Sequence, residues 1–208
     1  VIAGDGVGPE VIAEGVKALE AISKKDPSLK FKFTYYPWGC NYYLSHGKMM
    51  DEDGLERLAG HDAILLGAVG DPRVPDHVSL WDLLLRIRKG FDQYINLRPV
   101  KLLKGAPCPL KGPSCEDIDM ILVRENSEGE YSGQGSWTDK GTPLEKAIQE
   151  DVFTRRGCER VMKYAYELAS KEGKTLTSIT KSNAINYSMV FWVQVFRETG
   201  KQYPEVKT

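Results

Sequence analysis

The chain opens on Val1-Ile2-Ala3-Gly4-Asp5-Gly6-Val7-Gly8-Pro9, and this stretch decides the fold class. A short strand leads into a glycine-rich turn, and Pro9 suits the first turn of a helix because its missing N–H needs no partner there. Apolar residues then recur every three or four positions, which predicts an amphipathic helix to about Ser23. A strand, a turn and a helix in this order indicate an α/β protein.

The rest of the sequence continues this pattern. Strands are predicted at residues 31–35, 63–66, 120–123 and 176–180, and helices at 51–58, 82–89, 151–171 and 186–198. The apolar runs 63–66 and 120–123 are typical of buried strands. Pro99 and the proline- and glycine-rich segment 105–113 mark a crossing between domains, so we expect domains at 1–97 and 98–208. The polar segment 130–149 predicts a protruding loop or hairpin.

Composition excludes several classes of protein. Lys and Arg number 28 against 29 Asp and Glu, so bulk charge does not favour a nucleic-acid partner. The longest apolar runs are far shorter than the roughly 20 residues that cross a bilayer, which predicts no membrane partner. The 4 cysteines contain no C-x-x-C pair, which indicates reduced thiols and a cytoplasmic location. The sequence begins at Val1 rather than Met, and we expect it to be cut at one end or both.

Known nucleotide and hydrolase motifs are missing. The turn Gly4–Pro9 has proline where a dinucleotide fingerprint has its third glycine, so by itself it indicates only a tight turn. No phosphate-binding loop of the kinase type and no G-x-S-x-G motif occurs. The three histidines, at 46, 61 and 77, fit no metal-ligand spacing, so we assign no metal ligand. The loop 67–77 follows a predicted buried strand, where ligands bind in open α/β sheets.

Three arginines form the strongest candidate site. Arg88, Arg98 and Arg124 lie at or next to the ends of predicted elements, where their side chains can converge on one cleft. Guanidinium groups bind carboxylates through paired hydrogen bonds, which suits a small polycarboxylate. Each arginine taken singly also fits a surface role, but the polar run 124–131 directly after an apolar strand favours a site.

Lys181 and Tyr131 have two interpretations each. Lys181 follows a predicted strand and could act as a base if burial or nearby cations depressed its pKa. It could equally be a solvated residue in a helix-capping turn, with Ser182 or Asn183 as the cap. Tyr131 could donate a proton or simply pack.

The ordered motifs resemble the β-decarboxylating 2-hydroxyacid dehydrogenases, the group that holds isopropylmalate and isocitrate dehydrogenases. They are Gly4–Glu10, Gly67–Gly70, Asn96–Pro99, Val123–Glu125 with Tyr131, and Lys181 with Asn183. Segments 75–81, 90–94 and 124–132 are most similar to the tartrate dehydrogenase and decarboxylating D-malate dehydrogenase branch. The resemblance implies an isopropylmalate dehydrogenase-like two-domain α/β fold, incomplete at its C-terminal end. Residues 1–97 would begin the larger domain, and 98–208 would form a truncated smaller domain with a dimer-forming arm.

The resemblance also implies an activity: NAD-dependent oxidative decarboxylation of D-malate to pyruvate and CO₂, or the corresponding reaction of tartrate. Lys181 would take the hydroxyl proton and Tyr131 would protonate the enolate. The other residues implied are Arg88, Arg98, Arg124 and Asn183 for the substrate, and Gly67, Ala68, Val69 and Gly70 for the cofactor. A Mg²⁺ or Mn²⁺ ion would chelate the substrate as a Lewis acid, with its ligands beyond residue 208. The family implies a homodimer whose sites are shared between the two chains.

The helix before Arg88 would line the pocket for the variable part of the substrate, with Trp81, Asp82, Leu84 and Leu85. Asp82 would repel the extra carboxylate of isocitrate, and Trp81 would fill the volume of a branched substituent. Malate or tartrate therefore fits best, with 3-isopropylmalate as the alternative. The choices between D-malate and tartrate, and between NAD and NADP, stay open. An alternative of another class is a non-catalytic short form that dimerises with full-length chains as a regulatory subunit.

Overall fold

The computed structural model describes residues 1–112, 114 and 117–208. The chain divides into two compact units, Val1–Phe91 and Asp92–Thr208. The predicted domain boundary after residue 97 falls further along, within a strand that runs from Ile95 to Lys101. Each unit has its own buried cluster of apolar side chains.

The first unit begins with two parallel strands, β1 (Ile2–Gly4) and β2 (Leu66–Ala68). Helix α1 (Gly8–Lys25) follows the glycine-rich turn with a proline in its first turn, which confirms the predicted opening of the chain. Ile12 and Val16 are buried one helical turn apart, as the apolar spacing predicts. The strand predicted at 63–66 forms at the end of its apolar run and continues beyond it.

The remaining first unit contains further helical segments joined by irregular stretches. They are α2 (Cys40–His46), α3 (Gly54–Ala59), α4 (Asp76–Ser79), a π-helical stretch (Leu80–Leu85) and α5 (Arg86–Gly90). The helix predicted at 82–89 is therefore the later part of a longer helical segment. Trp38, Leu58 and Leu83 are almost fully buried in the core of this unit.

The strand predicted at 31–35 is wrong. The segment contains no strand, and only Tyr36, just after it, forms a single bridge with Ile2. Phe31 and Phe33 stack with their ring centroids 6.1 Å apart. These alternating aromatic side chains therefore contact each other within the segment. A strand also needs a ladder of backbone hydrogen bonds to a neighbour, and alternation alone does not provide one.

The second unit contains an antiparallel pair of strands and two packed helices. Strands β3 (Ile95–Lys101) and β4 (Asp119–Glu125) pair along their whole length. Helices α6 (Arg155–Glu172) and α7 (Ser188–Gly200) pack on each other, and α6 also packs on β4. The helices predicted at 151–171 and 186–198 are confirmed, with small shifts at their ends.

The burial predicted for the strand at 120–123 is wrong, although the strand itself is present as β4. Val123 packs against the buried cluster that contains Val161 of α6. Met120 and Leu122, which point to the other face, are 49% and 40% exposed. Successive strand residues alternate between the two faces of the pair. The face that carries Val123 is covered by α6, and the face that carries Met120 and Leu122 is more exposed.

The segment predicted as a loop or hairpin at 130–149 is a hairpin. A single 3₁₀ turn (Glu130–Ser132) precedes strands β5 (Gly135–Thr138) and β6 (Lys146–Gln149), which pair antiparallel. Every residue of both strands is exposed. The hairpin therefore projects away from the packed part of its unit.

The strand predicted at 176–180 is not formed among the described residues. The backbone N–H of Leu176 donates to the carbonyl of Lys207 at 2.9 Å, and no ladder continues from this bond within the described part of the chain. The side chain of Ile179 is 82% exposed. A β-prone run becomes a strand only when a neighbouring strand pairs with it.

Cys40, Cys108 and Cys158 are free thiols, as predicted, and Cys115 lies outside the described residues. Burial raises the pKa of Cys40 and of Cys158 to about 12, so both thiols stay protonated. Within the ranges that the structure describes, no helix is both long and apolar enough for a membrane span.

Candidate functional site

Two of the three candidate arginines share one face of the β3–β4 pair. Asn96 lies opposite Arg124, and Arg98 lies opposite Leu122. Paired residues and those two positions away point to the same side of a sheet, so Arg98 and Arg124 are diagonal neighbours. The Nε atom of Arg98 donates to the Oδ1 atom of Asn96 at 3.2 Å. Two guanidinium groups are thus presented side by side.

Tyr131 lies directly against Arg124. The Nη2 atom of Arg124 donates to the Tyr131 hydroxyl at 2.7 Å, and its guanidinium carbon lies 5.3 Å from the centre of the tyrosine ring. Because the phenol oxygen accepts this hydrogen bond, the phenol O–H remains able to donate to another group. Arg98 lies on the same face of the strand pair as Arg124 and lines the same cavity as Arg124 and Tyr131, so the three side chains form a cationic cluster with one hydroxyl donor.

The turn between Arg124 and Tyr131 is built by Glu125. Its carboxylate accepts the backbone N–H of Ser127 at 3.0 Å and of Glu128 at 2.8 Å, and also the Ser127 hydroxyl at 2.7 Å. These bonds give the turn a defined shape directly after β4. The sequence predicts this polar run at the end of a strand but indicates no separate role for Glu125.

Glu128 fixes the other end of this turn to α6. Its carboxylate accepts the backbone N–H and the hydroxyl of Thr154 at 2.8 and 2.7 Å. A Cβ atom on Gly157 would lie 2.1 Å from the same carboxylate, so only glycine permits this approach. The positive end of the helix dipole stabilises a carboxylate in this position.

Thr154 caps α6, because its side-chain oxygen accepts the N–H of Gly157 at 3.0 Å. Replacing Thr154 by Ala should lower the free energy of unfolding by about 1 kcal/mol, the usual value of such a cap. Thr154→Ser keeps the hydroxyl and should restore most of the loss. Urea denaturation followed by circular dichroism measures both variants, and equal stability of Ala and Ser variants would contradict the capping role.

Arg160 ties the turn to the segment before β3, and the sequence analysis missed it. Its Nη1 atom donates to both carboxylate oxygens of Asp92 at 2.8 Å, and its Nη2 atom donates to the Ser127 hydroxyl at 2.9 Å. The guanidinium also lies 4.3 Å from the centre of the Tyr94 ring. The sequence does contain a signal for Arg160, because this charged residue lies directly before the buried Val161 on the amphipathic helix α6.

Lys181 and Asn183 lie in an exposed turn before α7. The carbonyl of Lys181 accepts the N–H groups of Ala184 and Ile185, both at 3.0 Å. Helix α7 begins at Ser188, and its N-cap residue is Tyr187. The alternative in which Ser182 or Asn183 caps the following helix is therefore wrong.

The loop Gly67–Gly70 begins within β2 in the first unit. A Cβ atom on Gly67 would lie 2.2 Å from the carbonyl oxygen of Ala3, so the close approach of β1 and β2 requires glycine there. Gly70 has a φ of +139°, and a Cβ atom placed on it would meet nothing within 4 Å. The space beside the Gly70 Cα atom is thus open, while the Gly70 N–H donates to the Asp5 carboxylate at 3.1 Å.

Trp81, Leu84 and Arg88 share the helical segment that ends the first unit. Trp81 is exposed, with the Lys89 ammonium 4.5 Å from its ring centre. Leu84 and Arg88 are half-buried, while Leu83 and Ile87 on the neighbouring positions are buried. The π-helical turn at Leu80–Leu85 widens the helix there, a feature often found at functional sites.

A metal site does not arise from the described residues alone. Residues 1–112, 114 and 117–208 contain no group of three or more His, Cys, Asp or Glu side chains that could hold a metal ion. The carboxylates near Tyr131 instead accept backbone and hydroxyl donors, as at Glu125 and Glu128. The donor set of this part of the chain does not fit a metal.

The match to a known family extends over the whole chain. Residues 1–208 match the family described as isocitrate/isopropylmalate dehydrogenase. The chain therefore belongs to the isocitrate/isopropylmalate dehydrogenase family, which is a family of enzymes. This membership confirms both the resemblance inferred from the motifs and the α/β fold expected from it.

Individual relatives point to one branch of this family. The chain is 50% identical over 209 residues to D-malate dehydrogenase (decarboxylating) of Escherichia coli (strain K12), covering 99% of this chain and 58% of the relative. It is 50% identical over 208 residues to a probable tartrate dehydrogenase/decarboxylase of Bacillus subtilis (strain 168), covering 100% of this chain and 58% of the relative. These identities confirm the similarity to the D-malate and tartrate dehydrogenase branch. The chain spans about 58% of the length of these relatives.

Solved structures share the fold. Isocitrate dehydrogenase from Methylococcus capsulatus matches with a TM-score of 0.82 at 24% identity, over 99% of this chain and 57% of that one. A β-decarboxylating dehydrogenase from Thermococcus kodakarensis matches with a TM-score of 0.68 at 31% identity, over 99% of this chain and 55% of that one.

Proposed function

We propose that the whole protein is an NAD-dependent dehydrogenase that oxidises and decarboxylates a small 2-hydroxy diacid, D-malate or tartrate. The observation that carries the proposal is the cluster of Arg98, Arg124 and Tyr131. It combines two groups that can bind the carboxylates of a diacid with one donor that can protonate the enolate left by decarboxylation. The names of the two relatives at 50% identity support the same reaction.

The arginines bind the diacid in this proposal. Arg98 and Arg124 on the strand pair hold its carboxylates through paired N–H donors. Arg88, on the last helix of the first unit, remains a candidate for substrate binding on the basis of the family resemblance. Asn183 adds a neutral donor. Because Arg124 also binds the Tyr131 hydroxyl, substrate binding and the position of the proton donor depend on the same guanidinium.

Two protein groups move protons. Lys181 takes the proton of the C2 hydroxyl as C2 is oxidised, and NAD supplies the hydride acceptor when it is bound. The resulting 2-oxo acid loses CO₂ by cleavage of its C3–C4 bond, which leaves an enolate. The Tyr131 hydroxyl then gives a proton to C3, and the adjacent Arg124 guanidinium stabilises the phenolate that forms.

The loop Gly67, Ala68, Val69 and Gly70 is our candidate for the nicotinamide cofactor. Its support is its position just after a parallel strand, where ligands bind in α/β sheets, and the open space beside the Gly70 Cα atom. The part of the chain that the structure describes contains no cluster suited to Mg²⁺ or Mn²⁺, and the resemblance to the family implies that the ligands lie beyond residue 208.

We also propose a homodimer in which the hairpin β5–β6 contacts the second copy. The hairpin carries three large exposed apolar side chains, with Trp137 at 60%, Leu144 at 72% and Ile148 at 49% exposure. Exposed apolar groups gathered on one projecting element are typical of interaction surfaces. In the dimer, Lys181 of one copy completes the site formed by Tyr131 of the other.

A substrate panel tests the proposed activity. We expect D-malate or tartrate to give kcat/KM about 100-fold above 3-isopropylmalate and isocitrate, because Trp81 fills the space of a branched substituent and Asp82 repels an added carboxylate. The measurement is NADH formation by the whole protein with NAD and Mn²⁺.

Two results would contradict this proposal in different ways. A higher kcat/KM with 3-isopropylmalate or isocitrate than with D-malate and tartrate would overturn the pocket roles assigned to Trp81 and Asp82. An absence of turnover with all four acids would overturn the activity and favour the non-catalytic alternative. Trp81→Leu is the matched variant, and it should raise kcat/KM for 3-isopropylmalate relative to D-malate.

A further inference from the structure

We propose that Asp5, with Arg73 as a second tether, is a positioning residue that holds the loop Gly67–Arg73 against the first turn of α2. The proposal rests on the cofactor role proposed above for this loop. Asp5 would not contact the reacting atoms itself. It would set the position of Gly70, which has open space beside its Cα atom.

The Asp5 carboxylate joins two separate segments. The side chain is buried, with 4% of the residue exposed. One oxygen accepts the backbone N–H of Cys40 at 2.8 Å, and the other accepts the backbone N–H of Gly70 at 3.1 Å. The backbone N–H of Asp5 donates to the carbonyl of Ala68 at 2.7 Å, so Asp5 also binds the strand from which the loop departs.

The backbone approaches Asp5 closely at two glycines. A Cβ atom on Gly39 would lie 2.8 Å from the Asp5 oxygen, and a Cβ atom on Gly4 would lie 2.0 Å from the carbonyl oxygen of Ala68. Glycine at these two positions lets the three segments approach closely. The hydrogen bonds from Cys40 and Gly70 then hold the carboxylate in one orientation.

Arg73 forms a second connection to α2 from the surface. Its guanidinium donates to both oxygens of Asp71, at 2.9 and 2.7 Å, and its Nη2 atom also donates to Asn41 of α2 at 2.8 Å. The hydrogen bonds from Arg73 lower the pKa of Asp71 to about 2, so this pair stays charged in neutral solution. The loop is thus joined to the same turn of α2 on its buried side and on its exposed side.

Removal of the Asp5 carboxylate should have different kinetic effects if its role is purely structural and if it positions the loop. Loss of a structural group would lower stability and leave the affinity for NAD unchanged in the folded enzyme. Loss of a positioning group would weaken NAD binding more than it weakens substrate binding. The ratio of the two KM values separates these cases.

The test is Asp5→Asn in the whole protein. Asparagine has the same shape, but its NH₂ group would face one of the two backbone donors and one hydrogen bond would be lost. We expect KM for NAD to rise about tenfold, while KM for D-malate changes less than about twofold. Leu58→Ala, a core truncation in the same unit, and Asp26→Asn, an exposed carboxylate that accepts the N–H of Ser28, are the controls.

Arg73→Gln is the second variant, and it lies on the surface, where it should not prevent folding. It should raise KM for NAD about threefold, in the same direction as Asp5→Asn. Hydrogen exchange of the peptide containing Gly70, measured without NAD, should become faster in both variants and not in Leu58→Ala.

The outcomes separate the two proposals. Unchanged exchange at Gly70 in Arg73→Gln and in folded Asp5→Asn would overturn the positioning role, whatever the activity. Faster exchange with an unchanged KM for NAD would also overturn it. A wild-type protein that shows no NAD-dependent turnover would overturn the proposed function alone, because the exchange measurement needs no activity.

Discussion

Lys181→Met is expected to lower kcat with D-malate or tartrate by about a thousandfold, within the range that general base catalysis contributes. Methionine keeps the length of the side chain but cannot take the hydroxyl proton. Lys181 lies in an exposed turn, so the loss should occur without a change in folding. The measurement is the steady-state rate of NADH formation together with the first turnover in rapid mixing, where no burst of NADH should appear.

Lys201→Met is the matched control, because Lys201 is also exposed and lies in the same unit just after α7. Its kcat should stay within about twofold of the wild-type value, as is usual for surface substitutions away from a site. A Lys181→Met enzyme that behaved like this control would remove Lys181 from the reaction.

Tyr131→Phe is expected to lower kcat by about a hundredfold through a different step. The phenylalanine ring can still lie beside the Arg124 guanidinium, but the proton donor and the acceptor of the 2.7 Å hydrogen bond are lost. Oxidation precedes protonation in the proposed sequence of steps. The variant should therefore form NADH rapidly in the first turnover and then slow down.

Tyr203→Phe is the control for this experiment. It removes a hydroxyl that donates to Glu167 at 3.3 Å in the same unit, and it should leave kcat nearly unchanged. If Tyr131→Phe slowed NADH formation in the first turnover as much as in the steady state, Tyr131 would act at the oxidation step. Normal turnover in the variant would contradict any role in proton transfer.

Much of the candidate site was accessible from local sequence. The polar run after β4 was predicted to lie at the end of a strand because so many charged side chains are poor core material. This polarity favoured a site at Arg124, while the role of Tyr131 was implied only by the family resemblance. Local sequence could not predict that Glu125 shapes the turn or that Arg160 reaches Ser127, since these hydrogen bonds join residues whose spacing follows no simple period.

The errors in strand prediction have one cause. Segments 31–35 and 176–180 both have side chains typical of strands, yet neither is paired into a ladder among the described residues. In contrast, β3 and β4 form a complete ladder although Leu97 and Leu122 are more than a third exposed. Pairing depends on a neighbour that is distant in sequence, which side-chain alternation within one segment does not specify.

The sequence by itself determined the strand, turn and helix at the start of the chain, the main helices and the membership of the family. These features depend on short-range periods and on ordered motifs, which are present in the chain before it folds. Only the tertiary structure decided that Arg124 binds the Tyr131 hydroxyl and that buried Asp5 joins Cys40 to Gly70. Such contacts depend on backbone donors and side chains that meet only after packing, because the free energy of a buried hydrogen bond is realised only when both partners have left water.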